Sequence, residues 1–498
     1  MSNPFKKISR LEIIVFVSGA VVMVLELIGS RILAPHLGTS IFVWTALIGI
    51  ILGALSLGYY IGGSLSKKNP KLSTLAGIIL LAALLILVIP VLKEPVLKLA
   101  LPLGVKVGSI VATLLLFTLP SIVMGMVSPY AIRLKVQTVE GSGSAAGILY
   151  AISTLGSIFG TFLAGFYLIP TFSSTQILLG LGAVMALTAL IGGLRLQPLA
   201  VLGIVAILNI STNLVPSTYV YESDSAYNHI RVLDTTLIET GTRVRVLLLA
   251  TEAHSILNLD SNDLIAQYHQ LYQLDNLFAP KIQRALTLGA GAYIAPQNFL
   301  ERYPTAEMTV VEIDPAVTEV ARQYFNLAET NRLTTVHQDA RLFLNDVKEK
   351  YDIIYGDAFA SYYSIPFQLT TVEALRRVSD ALTDDGVFVL NVISGLEGET
   401  ALFFSAEYKT LAQIFPQLYV FPTRFYRPDQ NLQTPQNIVI FATKNSERVT
   451  LESLLKLGDE AQREQITKLI DPTALKLPDV GLLTDEFAPV DYYVSKLL

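Results

Sequence analysis

The pattern of apolar and polar positions changes character near residue 215. Before it, long apolar runs follow one another near 13–35, 41–65, 72–92, 109–131, 144–169, 175–194 and 199–214. A helix needs about 20 apolar residues to span a bilayer, so the pattern predicts a transmembrane helical domain of about seven spans over 1–215. The last run is short and contains Asn209 and Asn213. Beyond the break the periods shorten. Residues 219–259 alternate polar with apolar, which predicts a small antiparallel sheet. SNDLIAQYHQLYQLDNLF (261–278) reads as an amphipathic helix with Ser261 as its N-cap. Then short apolar strands alternate with helices: ALTLG (285–289), a helix over 294–302, MTVVEID (308–314), LTTVHQD (333–339) and YDIIYGD (351–357). This is the pattern of an α/β, Rossmann-like sheet. The expected organisation is 1–215 in the membrane, 216–280 as a small β region with one helix, and 281–498 as the Rossmann-like domain.

The ends of the predicted strands carry the chemistry. Gly289 and Gly291 make a turn in backbone conformations closed to other residues. Glu312 and Asp314 end the next strand, where an acid can accept both hydrogen bonds of a ribose diol. Asp339 ends the third strand, placed to accept from an adenine amino group, with Ala340 beside it. Asp357 ends the fourth, over the reactive end of such a ligand. A lone GxG is a weak signal, but four strand-end features in series define an adenosyl site. There is no GxxxxGK[ST], and no Lys or Arg within the glycine turn. A sulfonium donor needs no anion cradle and is served by acids and π faces. The residues therefore point to S-adenosylmethionine or its decarboxylated form rather than to NAD.

Composition adds a charge split. Residues 1–215 carry 13 Lys+Arg against 4 acids, and the remainder 23 against 37. The first half suits a lipid bilayer with cationic loops; the acidic second half argues against nucleic acid. Cysteine is absent and the five His are scattered, so no metal site is expected. Loop cations favour a cytoplasmic N-terminus in the inner membrane. Seven full spans would then carry the second half outside, whereas adenosyl compounds are made inside. A cytoplasmic catalytic domain is expected, with the short last segment lying in the interface or one span miscounted. Gly49/Gly53, Gly58/Gly62 and Gly156/Gly160 are close-approach pairs, expected to pack one bundle more than a homodimer seam. Glu26 and Arg31 lie in the first span, there to bind a ligand or to pair with each other or with loop groups.

At YESDSAYNHIRVLD, Tyr268-His269, LGAGAY, VEIDP, HQDARLF and YDIIYGDAF, the chain resembles the spermidine synthase (polyamine aminopropyltransferase) family. It looks most like the branch that fuses a multi-span membrane domain to a synthase-like domain. The resemblance implies transfer of an aminopropyl group from decarboxylated S-adenosylmethionine to a polyamine such as putrescine. It implies that Glu312 holds the ribose, Asp339 holds adenine and Asp357 takes the proton of the attacking amine. Tyr227, Tyr268, His269 and Tyr362 are then candidates for the acceptor pocket, with Tyr293 and Tyr363 as further lining rings. Three departures remove negative charge. Ala292 stands where the family's glycine turn carries an Asp, Ala360 where a second Asp follows the catalytic one, and Gln270 where the Tyr-His pair is followed by Glu. Methyl transfer from S-adenosylmethionine to another acceptor stays open, as does a transporter or sensor that binds without turnover.

Overall fold

The computed structural model describes residues 9–497 except 68, 137, 139–140, 195, 215–217, 280, 359–364, 425–431 and 448. The chain divides into two compact units. One comprises Met1–Ser217 with Ser223–Ala226, the other Thr218–Glu222 with Tyr227–Leu498.

In the first unit, five helical stretches among the described residues are long and apolar enough to cross a membrane, by length and composition. They are Arg10–Leu37, Ile41–Leu65, Leu72–Lys135, Ser142–Thr171 and Ser174–Ile191. The third is 64 residues long and contains two of the expected runs. It turns at Leu101–Leu103, where Gly104 takes φ +72°, and Leu72–Ala100 packs on Gly104–Gly125. The expected run at 199–214 lies in the 18-residue helix Gln197–Leu214, which is not among the five. Two of the glycine pairs seat helix on helix. A Cβ on Gly58 would stand 2.2 Å from the Ile122 carbonyl oxygen, and one on Gly156 2.0 Å from that of Phe16. Gly49 and Gly53 meet nothing within 4 Å. Arg31 donates to the carbonyls of Ile169 and Ser225 and lies 4.0 Å from Asp224, so it engages loop groups.

The second unit carries β1 (Tyr221–Asp224) only as far as Glu222, followed by β2 (His229–Thr236), β3 (Arg243–Leu249) and β4 (Glu252–Asn258), and the four-stranded sheet runs in that order. β2, β3 and β4 pair antiparallel, as their alternation predicts. The helix expected over 261–278 is shorter and broken, at Gln267–Tyr272 and Asp275–Phe278. Ser261 is not its cap. Its hydroxyl accepts from Asp263 N–H, and Asn258 Oδ1 accepts from Asp260 and Ser261 N–H, which holds the segment in turns.

The seven-stranded sheet follows: β5 (Arg284–Leu288), β6 (Glu307–Glu312), β7 (Leu333–His337), β8 (Tyr351–Gly356), β9 (Leu382–Ser394), β10 (Gln417–Pro422) and β11 (Gln436–Thr443). Their order is β10-β11-β9-β8-β5-β6-β7. β5 to β9 run parallel, while β11 is antiparallel to both its neighbours. This is a Rossmann-like sheet of the methyltransferase type. Ala285, Leu286, Ile353 and Ile354 are buried on both faces, as central parallel strands require. Edge strand β7 is only partly covered. The order reverses between β5 and β8, the switch point where such sheets open a crevice at their carboxyl ends.

Candidate active site

The four strand-end features lie on adjacent strands. Their order in space is Asp357, Gly289, Glu312, Asp339, with β8, β5, β6 and β7 side by side. At about 4.8 Å per strand the row is roughly 14 Å long. Asp357 N–H donates to the Leu288 carbonyl at 2.9 Å, so the two strand ends stay in register past the sheet. Gly289 has φ +83°, and a Cβ there would stand 2.5 Å from the Asp357 carbonyl oxygen. Gly291 has φ +49°, and its Cβ would stand 2.6 Å from Ser255 Oγ on β4. The glycines thus let the turn press against its own protein as well as leaving its outer face open. Ala292 N–H donates to Ser255 Oγ at 2.9 Å, which ties the turn to the small sheet.

Glu312 bridges two turns. It accepts from Ala290 N–H at 3.2 Å and from Asp314 N–H at 2.9 Å. Burial pushes its carboxyl up to about 7, against those hydrogen bonds. Asp314 is 1% exposed. It caps helix Pro315–Tyr324 through Ala316 N–H and accepts from Asn228 Nδ2 at 2.9 Å. Both of its carboxylate oxygens are thus engaged within the fold. Asp339 Oδ1 accepts from Arg341 and Leu342 N–H at 2.8 and 3.2 Å, capping the short helix that Ala340 opens. Neither Glu312 nor Asp339 lines the cavity on the far side of the glycine turn.

That cavity has a volume of about 120 Å³ and lies among β4, helix Gln267–Tyr272, the glycine turn and the ends of β8, β9 and β11. Asp357, Tyr268 and His269 line it together with Gly289 and Gly291. Burial pushes the Asp357 carboxyl up to about 6. The Asn391 amide, donating to Oδ1 at 3.0 Å, and the nearby Tyr272 hydroxyl oppose that shift. Asn437 Nδ2 in turn donates to Asn391 Oδ1 at 3.1 Å, fixing the amide that orients the acid. His269 is buried, and desolvation lowers its pKa to about 3, so the ring is neutral. The Tyr268 hydroxyl reaches the His254 carbonyl at 3.4 Å, and burial followed by the Asp357 charge raises its pKa.

Other candidates lie elsewhere. Tyr227 is 57% exposed and does not line the cavity. Tyr293 is 0% exposed; its hydroxyl pairs with Thr318 Oγ1 at 2.8 Å, so it is a core residue. Tyr362, Tyr363 and Ala360 lie outside the described residues. Gln270 Nε2 donates to the Leu264 carbonyl at 2.8 Å, and Gln270 is not in the lining.

The structure adds residues that the sequence reading missed. Asn391 interrupts the apolar run VFVLNVIS, a signal of a buried polar task. Glu252 and His254 come from β4, where Leu248 opposes Ala253 and Leu247 opposes Ser255. His254 is therefore the extra residue of a β-bulge, which re-aims its neighbours. Arg302 also lines the cavity, held by Asp275 through two bonds of 2.8 and 2.7 Å. Asp275 is 0% exposed and also accepts from the Tyr303 and Tyr355 hydroxyls at 2.7 and 2.6 Å. No local pattern announces that network, because its members come from three separate segments.

Fold and cavity together define a class, a transferase built on a Rossmann-like sheet behind a small antiparallel sheet. The Spermine/spermidine synthase domain family matches residues 281–443. A polyamine aminopropyltransferase of Vibrio vulnificus is 30% identical over 237 residues, 43% of this chain and 71% of the relative. Polyamine aminopropyltransferase 1 of Streptomyces coelicolor is 23% identical over 412 residues, 75% of this chain and 73% of the relative. An N-terminal histidine N-methyltransferase of Emericella nidulans is 31% identical over 173 residues, 32% of this chain and 28% of the relative. The chain belongs to the spermine/spermidine synthase family of polyamine aminopropyltransferases.

Proposed function

We propose that the second unit transfers the aminopropyl group of decarboxylated S-adenosylmethionine to putrescine or a related amine, releasing methylthioadenosine. Asp357 carries the reading. It ends the strand beside the glycine turn, faces the cavity, and has a carboxyl at about 6, so it is ionised at neutral pH yet ready to take a proton. The row Gly289, Glu312 and Asp339 is suited to an extended nucleoside, with Glu312 toward the ribose and Asp339, through the carboxylate oxygen that does not cap its helix, toward adenine. The neutral amine attacks the methylene carbon beside the sulfonium. A C–N bond forms, the C–S bond breaks with its electrons passing to sulfur, and the amine proton goes to Asp357. Tyr268, Tyr272 and Tyr355 line the same cavity and offer π faces to the sulfonium and to an amine cation.

Methyl transfer is the second reading. Ala292 supports it, because no carboxylate stands where the family grips the donor's amine. The likeness to a histidine N-methyltransferase points the same way. The deciding experiment supplies both donors and a panel of polyamines to the detergent-purified protein, with nucleoside products measured by mass spectrometry. Methylthioadenosine with spermidine is the expected outcome. S-Adenosylhomocysteine instead makes the protein a methyltransferase.

The first unit is read as an inner-membrane anchor. Its stretches reach a mean hydropathy of 3.1, and large apolar side chains such as Tyr60, Leu99 and Phe166 stand exposed on them. The catalytic unit is assigned to the cytoplasm, where adenosyl donors are made.

A further inference from the structure

We propose that Glu252 forms a second cation subsite in the cavity, holding the distal ammonium of a diamine whose near amine faces Asp357. This rests on the polyamine-acceptor reading of the same site. An acceptor with positive charge at both ends needs two anionic contacts, and the positions expected to supply the second do not. Ala360, which follows Asp357 where the family carries a second Asp, has no carboxylate, and Gln270 is neutral and turned to the Leu264 carbonyl.

Among the described residues that line the cavity, the carboxylates are Asp357 and Glu252. They belong to different walls, Asp357 to the end of β8 and Glu252 to the start of β4. Glu252 sits just past the Ala250–Thr251 turn, opposite Leu249, where Ala250 takes φ +56°. Short hairpin geometry fixes its place better than a long loop does. No Lys or Arg pairs with Glu252 among the described residues, although burial penalises its charge and raises its pKa. A partly desolvated carboxylate without a counter-ion gains when a ligand brings one.

The remaining lining does not compete for that role. Arg302 is already engaged by Asp275 through two hydrogen bonds. His269 is neutral, and its Nδ1 is buried at 4% exposure with no hydrogen-bond partner among the described residues. It is a polar atom on the cavity wall suited to an amine N–H. The described lining therefore offers two acids, imidazoles, tyrosine faces and an arginine already paired with Asp275, which suits a linear diamine rather than a carboxylate-bearing or neutral acceptor.

The test measures binding to the full-length protein in detergent, with methylthioadenosine present. Calorimetry compares 1,4-diaminobutane with butylamine, which has the same carbon chain and one amine. Wild type is expected to prefer the diamine by at least about tenfold, on the order of 1.4 kcal/mol. Glu252→Gln is expected to erase that preference while leaving butylamine affinity within about twofold. Glu252→Lys, which inverts the charge, is expected to favour 4-aminobutyrate over the diamine and guards against misreading a poorly folded Gln variant. Equal wild-type affinity for the two amines, or a diamine preference that survives both substitutions, overturns the subsite. The product assay is separate: transfer to a polyamine with preference unchanged in the variants removes Glu252 and leaves the reaction intact.

Discussion

At the scale of single residues, two buried carboxyls have opposite consequences. Asp357 is raised to about 6 and must lose its proton before it can accept one from the amine. Turnover is therefore expected to fall as pH drops through about 6, approaching tenfold per unit below it, in a kcat profile at saturating substrate. Asp357→Asn is expected to lower kcat by at least about a hundredfold with donor affinity retained. Near wild-type turnover in that variant would remove Asp357 as the base. Glu407 has no such task. It is 0% exposed, neither oxygen has a hydrogen-bond partner among the described residues, and burial raises its pKa well above the usual carboxylate range. In the unfolded chain it ionises near 4.3. Its contribution to stability is thus fully present below that pH and is lost as pH rises toward the folded pKa. Glu407→Met is expected to stabilise the second unit at pH 8 by more than about 1.4 kcal/mol, with a smaller gain at pH 5. Near-ultraviolet circular dichroism melts at the two pH values check the difference, and a gap that narrows with pH refutes the assignment.

At the scale of elements, the glycine turn is held from both sides. An alanine at Gly289 meets the backbone of Asp357 and Ala358, which cannot rotate away, and also carries φ +83°. An alanine at Gly291 meets the Ser255 hydroxyl, which can turn, at φ +49°. The left-handed conformation costs an alanine roughly 1–2 kcal/mol in either place. Gly289→Ala is therefore expected to reduce kcat by more than about tenfold through displacement of Asp357. Gly291→Ala is expected to lower the melting temperature with the smaller loss of kcat. Parallel kinetics and melts of the two variants measure it, and the reverse order would place the critical contact on β4. The turn also shows what periodicity misses. The run 261–278 has a helical pattern, yet its first residues bond their own side chains to the backbone and the helix starts at Gln267.

At the scale of the whole molecule, the two units divide the chain's chemistry. The first is basic, apolar and close-packed through glycines; the second is acidic and carries every candidate catalytic group. The cytoplasmic assignment of the second unit predicts that protease added outside spheroplasts leaves a C-terminal epitope tag intact. Protease added to inverted membrane vesicles is expected to remove it. Loss of the tag from intact spheroplasts would put the catalytic unit outside and require export of its donor.

The sequence by itself determined the break near 215, the apolar helices, the small antiparallel sheet and the strand-end row of Gly289, Glu312, Asp339 and Asp357. Each is local, because helix and strand periods, a glycine turn and an acid closing a strand are written within a few residues. The tertiary structure decided which strand lies beside which, and so placed Asp357 next to Gly289 although they are far apart in the chain. It also decided burial. Burial separates Asp314, occupied as a cap, from Glu312 two residues earlier, and Tyr293 in the core from Tyr268 on the cavity wall. Glu252 and Asp275 were illegible in the sequence for the same reason, and Asn391 showed there only as a polar break in an apolar strand. Their roles come from desolvation and from neighbours that only chain folding brings within hydrogen-bond reach.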